Sequence, residues 1–175
     1  MKHQVCVVSG TRADYGLLRP LLIRLRDCPE IELTIAATGS HLSAAFGGTG
    51  EELTRDGFAY DSMPFPLDDD SKAGMTRATG AALRSFADYF SAHRPDLLVV
   101  LGDRYEILAA AIAAHFSGIP IAHISGGDVT EGAVDDAIRH SVTKMSTLHF
   151  PGCEQSRQRI IQMGEHPERV FNVGE

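Results

Sequence analysis

Two apolar runs that each break off at glycine and ionisable residues constrain this chain most. The stretch opens with Leu97 to Leu101, meets Gly102 and Asp103, and continues as a helical pattern from Arg104 to Phe116. A second run, Pro120 to Ile124, stops at Ser125-Gly126-Gly127-Asp128. Short apolar runs without polar alternation are strands buried on both faces. Two such strands joined by one helical segment form a βαβ unit, and the crossover is right-handed. Function in such sheets collects in the loops at the carboxyl ends of the strands.

The same grammar repeats along the chain. Strand-like runs occupy Val5 to Val8, Ile31 to Ala37, Tyr60 to Phe65, Leu148 to Phe150 and Val170 to Val173. Between them lie helical patterns from Leu17 to Leu25, Glu51 to Arg55, Lys72 to His93, Asp135 to Met145 and Glu154 to Met163. The expectation is an α/β fold: a doubly wound, Rossmann-like parallel sheet of about seven strands, with residues 1–175 as one domain. The usual strand order puts the first and fourth strands side by side at the switch point. In the long helix, Ala78, Ala81, Ala82, Phe86 and Tyr89 share a face, read as core in preference to a dimer seam.

Composition narrows the function. A chain of 175 residues, 43% hydrophobic, can bury a sizeable core. The net charge of -7 and the lack of a Lys/Arg run argue against nucleic acid and anionic membrane surfaces as partners. Cys6, Cys28 and Cys153 are odd in number and widely spaced, which points to a reducing compartment. No window approaches the ~20 apolar residues of a membrane span, and MKHQVCVVSG is too weakly apolar for a signal peptide. The expected location is the cytoplasm.

Three loops carry candidate chemistry. SGTRADYG, after the first strand, has only Gly10 and Gly16 and misses the G-x-G-x-x-G spacing, so no dinucleotide cofactor is expected. Arg12 near a helix start suits an anion, or it pairs with Asp14 across the turn. Asp103 is either a carboxylate held rigidly over the crevice or an N-cap for the following helix. Glu106 reads as a solvated helix residue. The third cluster holds Asp128, Glu131, Asp135 and Asp136, four carboxylates in nine residues. Like charges raise one another's pKa, which suits acid/base work. Asp136, Arg139 and His140 share a helix face, and Asp135 can pair with Arg139. His123, Asp128 and His140 lack metal-ligand spacing, so no metal is expected. His115 and His149 read as packing or surface residues, and His41 stays open.

Together GTRADYG, TGSHL, LGDRYE, HISGG, DDAIRH and SVTKM, in order from Gly10 to Lys144, resemble the hydrolysing UDP-N-acetylglucosamine 2-epimerases of sialic acid biosynthesis. That family has two Rossmann-like halves facing a cleft, the GT-B arrangement. The resemblance covers essentially the whole chain but only the first half of that architecture, with the nucleotide-binding second half absent. It implies removal of the C2 proton of the sugar as UDP leaves C1, giving a 2-acetamidoglucal. Water then adds to give N-acetylmannosamine. It implies catalytic roles for Asp103 and Asp135, with Asp128 or Glu131 as further candidates. Arg12, Asp14, His123, Ser125, Asp136 and Arg139 would line the substrate. The implied partners are a UDP-sugar and, in the full-length form, a second copy.

One position departs from the family. Many members place a glutamate two residues after the histidine of HIxGG, where this chain has Ser125. A serine cannot serve as a base at neutral pH. Either Asp128 or Glu131 takes that role, or the substrate is modified, as in a 2,4-diacetamido sugar nucleotide. A GT-B glycosyltransferase half and a non-catalytic sugar-nucleotide module are the competing readings. All of them require the carboxylates near 103 and 128 to 136 to meet beside Arg12.

Overall fold

The computed structural model describes residues 2–130 and 134–174, Phe46 by its backbone only. Among them six strands form one parallel sheet: β1 (His3–Ser9), β2 (Ile31–Thr38), β3 (Asp61–Met63), β4 (Leu97–Leu101), β5 (Ile121–Ile124) and β6 (Leu148–Phe150). Their order is β3-β2-β1-β4-β5-β6, so the chain winds outward from β1, then returns to start again at β4. The β1–β4 junction pairs Val5 with Leu97 and Val7 with Val99. This is the switch point expected from the alternating pattern.

The helices are α1 (Arg12–Asp27), α2 (Gly50–Arg55), α3 (Lys72–Ala92), α4 (Tyr105–Phe116), α5 (Val134–Met145) and α6 (Glu154–Gln162). Successive side chains of a strand point to opposite faces. Leu98 and Val100 therefore join Phe86, Phe90, Ala110 and Val142 from α3, α4 and α5. Val99 and Leu101 join Leu18, Leu22 and Leu53 from α1 and α2. Ala78, Ala82, Phe86 and Tyr89 of α3 are all buried, so the apolar face of the long helix is core.

Two expectations shrink. The third strand stops at Met63, because Pro64 and Pro66 cannot donate to a ladder. The seventh strand is reduced to one bridge between His149 and Val170. Past it Val173 is 75% exposed, so the segment lacks the buried faces a central strand needs.

Candidate active site

β4 ends at Leu101, and Gly102, with φ of 76°, turns the chain out of the sheet. That turn presents Asp103 at the carboxyl edge. The residue at the N-cap of α4 is Arg104, so Asp103 does not cap the helix. Its Oδ2 instead accepts a hydrogen bond from the Arg139 guanidinium, delivered by α5. The two side chains are 18% and 11% exposed. Asp136 lies one turn earlier on α5, with its Oδ1 3.9 Å from Arg139 Nη1. Arg139 also donates to Thr130 Oγ1, while the Thr130 N–H donates to Asp136 Oδ1.

Burial pushes the Asp103 carboxyl above its ordinary range despite the Arg139 charge, and the nearby Asp135 charge adds to the rise. A carboxylate held at a raised pKa is a stronger base when ionised and a reachable acid when protonated. Asp103, Asp136 and Arg139 are gathered at one place, and the Asp135 charge is felt there.

His123 builds the frame under them. It is fully buried in β5, and burial holds its pKa down at about 4, so the ring is neutral. A carbonyl can only accept, so Nε2–H donates to Gly102 O at 2.8 Å. That leaves Nδ1 to accept from Thr143 Oγ1 at 3.1 Å. Thr143 stands one turn beyond Arg139, with its hydroxyl 3.0 Å from the Arg139 carbonyl. His123 thus ties the Gly102-Asp103 corner to α5. Both its nitrogens are engaged within the protein.

Gly126 and Gly127 are required by contact. A Cβ on Gly126 would lie 2.9 Å from His123 Nδ1, and one on Gly127 would lie 2.5 Å from Ser156 O. Ser125 has φ of 58°, a left-handed conformation that non-glycine residues seldom adopt, and its N–H donates to Phe150 O. Asp128 accepts from Ser156 Oγ on α6, so it anchors the loop to that helix. Glu131 lies outside the described residues.

The first loop does not join Arg12 to Asp14. Arg12 is exposed and pairs instead with Glu52 at 3.0 Å. Asp14 Oδ2 is buried and finds no hydrogen-bond partner among the described residues. The glycine of that loop explains the crowding: a Cβ on Gly10 would lie 3.0 Å from Glu106 Oε1 and 3.4 Å from Asp14 Oδ2. His41 is buried, with its ring nitrogens 2.8 Å from Ser9 Oγ and 2.8 Å from Thr49 Oγ1.

Glu106 is the residue the sequence reading missed. It is fully buried, not solvated, and its Oε1 accepts from Arg104 Nε at 2.6 Å. The signal was available: α4 runs Tyr105 to Phe116 with almost no polar face, so a carboxylate on it has no solvent side to occupy. Among the described residues no three His, Cys, Asp or Glu side chains converge as metal ligands.

The class follows from the fold and the placement of these groups: a Rossmann-like α/β domain whose ionisable residues gather over the carboxyl ends of β4 and β5. The sequence profile of the UDP-N-acetylglucosamine 2-epimerase family matches residues 23–175, and the chain belongs to that family. It is 42% identical over 173 residues to the GDP/UDP-N,N'-diacetylbacillosamine 2-epimerase (hydrolyzing) of Campylobacter jejuni, covering 99% of this chain and 45% of that protein. It is 43% identical to the UDP-N,N'-diacetylbacillosamine 2-epimerase (hydrolyzing) of Legionella pneumophila, over 99% of this chain and 46% of that one. The fold matches the UDP-GlcNAc 2-epimerase of Neisseria meningitidis bound to UDP-GlcNAc, with a TM-score of 0.85 and 22% identity, over 98% of this chain and 46% of that one. The chain spans about half the length of the curated relatives it matches.

Proposed function

We propose that this chain is the N-terminal half of a hydrolysing UDP-N-acetylglucosamine 2-epimerase that acts in the cytoplasm. The observation that supports this reading is Asp103, at the end of β4, bonded to Arg139 of α5, with the Asp135 charge near enough to raise its pKa. Inversion at C2 needs one group to take the proton from one face and another to return it to the opposite face. Two carboxylates delivered by β4 and α5 suit that division. In the first step a carboxylate takes the C2 proton, the C2–H electron pair forms the C1=C2 bond, and UDP departs with the electron pair of the broken C1–O bond. In the second, water supplies hydroxyl to C1 and a proton enters C2, giving N-acetylmannosamine. Arg139 keeps Asp103 oriented, and its charge favours the ionised form. Cationic support for the departing diphosphate comes from the second half of the protein, so residues 1–175 alone are inactive.

A modified substrate is the second reading. It is favoured by the diacetylbacillosamine named for the Campylobacter jejuni and Legionella pneumophila relatives, together with Ser125 in place of a glutamate. The test is incubation of the full-length gene product with UDP-GlcNAc, and with its 4-acetamido analogue, in deuterated water. Deuterium at C2 of a free mannosamine-type sugar is the expected result. Transfer to an acceptor without C2 exchange would point to a glycosyltransferase and end the proposal.

A further inference from the structure

A cavity of about 400 Å³ opens at the carboxyl ends of β1, β2 and β4, against the start of α3. Its walls include Thr11, Ser40, Leu67, Met75, Arg104 and Tyr105. It is large enough for a substituted sugar ring. Arg104 forms one wall and is the chain neighbour of Asp103, so the cavity opens next to the Gly102-Asp103 turn.

The lining chooses the ligand. Asp69 and Asp70 also face the cavity, which disfavours a phosphate. What remains is a neutral group with a donor, an acceptor and an apolar end. The Arg104 guanidinium and the Tyr105 hydroxyl can donate to a carbonyl, and Asp70 can accept from an N–H. Leu67 and Met75 offer an apolar surface to a methyl group. Arg104 is not free to swing, because the fully buried Glu106 holds its Nε at 2.6 Å. Glu106 is itself wedged against Gly10 and Gly39, where added Cβ atoms would come within 3.0 and 3.2 Å of its Oε1. The donor is therefore fixed in place by Glu106 of α4, itself held between two loops.

Resting on the function proposed above, we infer that this cavity receives the substituent at C4 of the sugar, and that it selects an acetamido group over a hydroxyl. C1 and C4 lie opposite one another in a six-membered ring. With the C1 leaving group directed out of this domain, C4 points inward. Met75 and Leu67 set the size limit, and Arg104 reads the carbonyl.

The test uses the full-length gene product and Met75→Trp, at a position 40% exposed, where a larger side chain fills the cavity without entering the core. We expect kcat/KM for the 2,4-diacetamido sugar nucleotide to fall about tenfold or more further than that for UDP-GlcNAc. Arg104→Lys should shift the preference in the same direction. Equal loss on both sugars, or no loss on either, overturns the assignment. An unsubstituted protein that turns over UDP-GlcNAc but not the diacetamido sugar also overturns it, while leaving the 2-epimerase reading intact. Turnover of neither sugar overturns both.

Discussion

Asp103 and Arg139 stand 36 residues apart in the chain and share a hydrogen bond at the carboxyl edge of the sheet. One is delivered by the glycine turn after β4, the other by the second turn of α5. Their contact joins the two loops that carry the ionisable residues. Removing one partner of such a pair leaves the other charge buried without its counterion. Arg139→Met is therefore expected to cost about 3 kcal/mol of stability. It also removes the cation that lowers the Asp103 pKa. Urea unfolding at pH 7 checks the first effect. In the full-length protein, the acidic limb of the kcat/KM profile should move to higher pH.

The His123 strut makes stability depend on pH. Its pKa is held at about 4 in the folded protein and returns toward its ordinary 6.5 on unfolding. Between those values the unfolded chain binds more protons, so stability falls as pH drops from 6.5 towards 4. The loss from pH 7 to pH 5 is about 2 kcal/mol from this group. Glutamine at this position retains a donor for Gly102 O and an acceptor for Thr143, but does not titrate. His123→Gln should flatten the slope of the urea midpoint between pH 7 and 5. An unchanged slope would remove His123 as the cause.

Much of this arrangement was legible in the residues. The apolar runs and their glycine stops placed β1 and β4 side by side, and the i, i+3 spacing put Asp136 beside Arg139. What the sequence could not supply was direction across the molecule. Asp128 belongs to the same acidic cluster as Asp135, yet it turns to Ser156 on α6, whose position depends on a later crossover. Arg12 was expected at the shared hollow or on Asp14, and it pairs with Glu52 because α2 packs beside α1. Glu106 could be found only by weighing its helix as a whole.

The two loop glycines separate backbone freedom from space. Gly118 and Gly127 both have positive φ, 68° and 80°. An added Cβ at Gly118 meets only Arg94 Nη2 at 3.4 Å, the end of a flexible side chain. At Gly127 it would meet Ser156 O at 2.5 Å and Ile160 Cγ1 at 2.8 Å, within a helix that cannot yield. Gly118→Ala should cost about 1 kcal/mol, the conformational penalty alone. Gly127→Ala should cost about 3 kcal/mol, because the loop must also leave α6. Thermal melts of the two variants, run side by side, check the difference.

Asp103 and Asp128 should fail in opposite ways. Asp128 spends its hydrogen bond on Ser156, so Asp128→Ala removes an anchor and leaves a buried hydroxyl to find another partner. The expected cost is about 1–2 kcal/mol of stability, with kcat of the full-length enzyme within about threefold. Asp103→Asn retains an oxygen to accept from Arg139 but cannot take a proton. Its fold should survive, while kcat falls by about 10²-fold or more. Melting temperature and kcat measured on both variants form a two-by-two comparison. If Asp128→Ala loses turnover and Asp103→Asn keeps it, the base lies on the α6 side of the loop and the pairing of Asp103 with Arg139 is structural only.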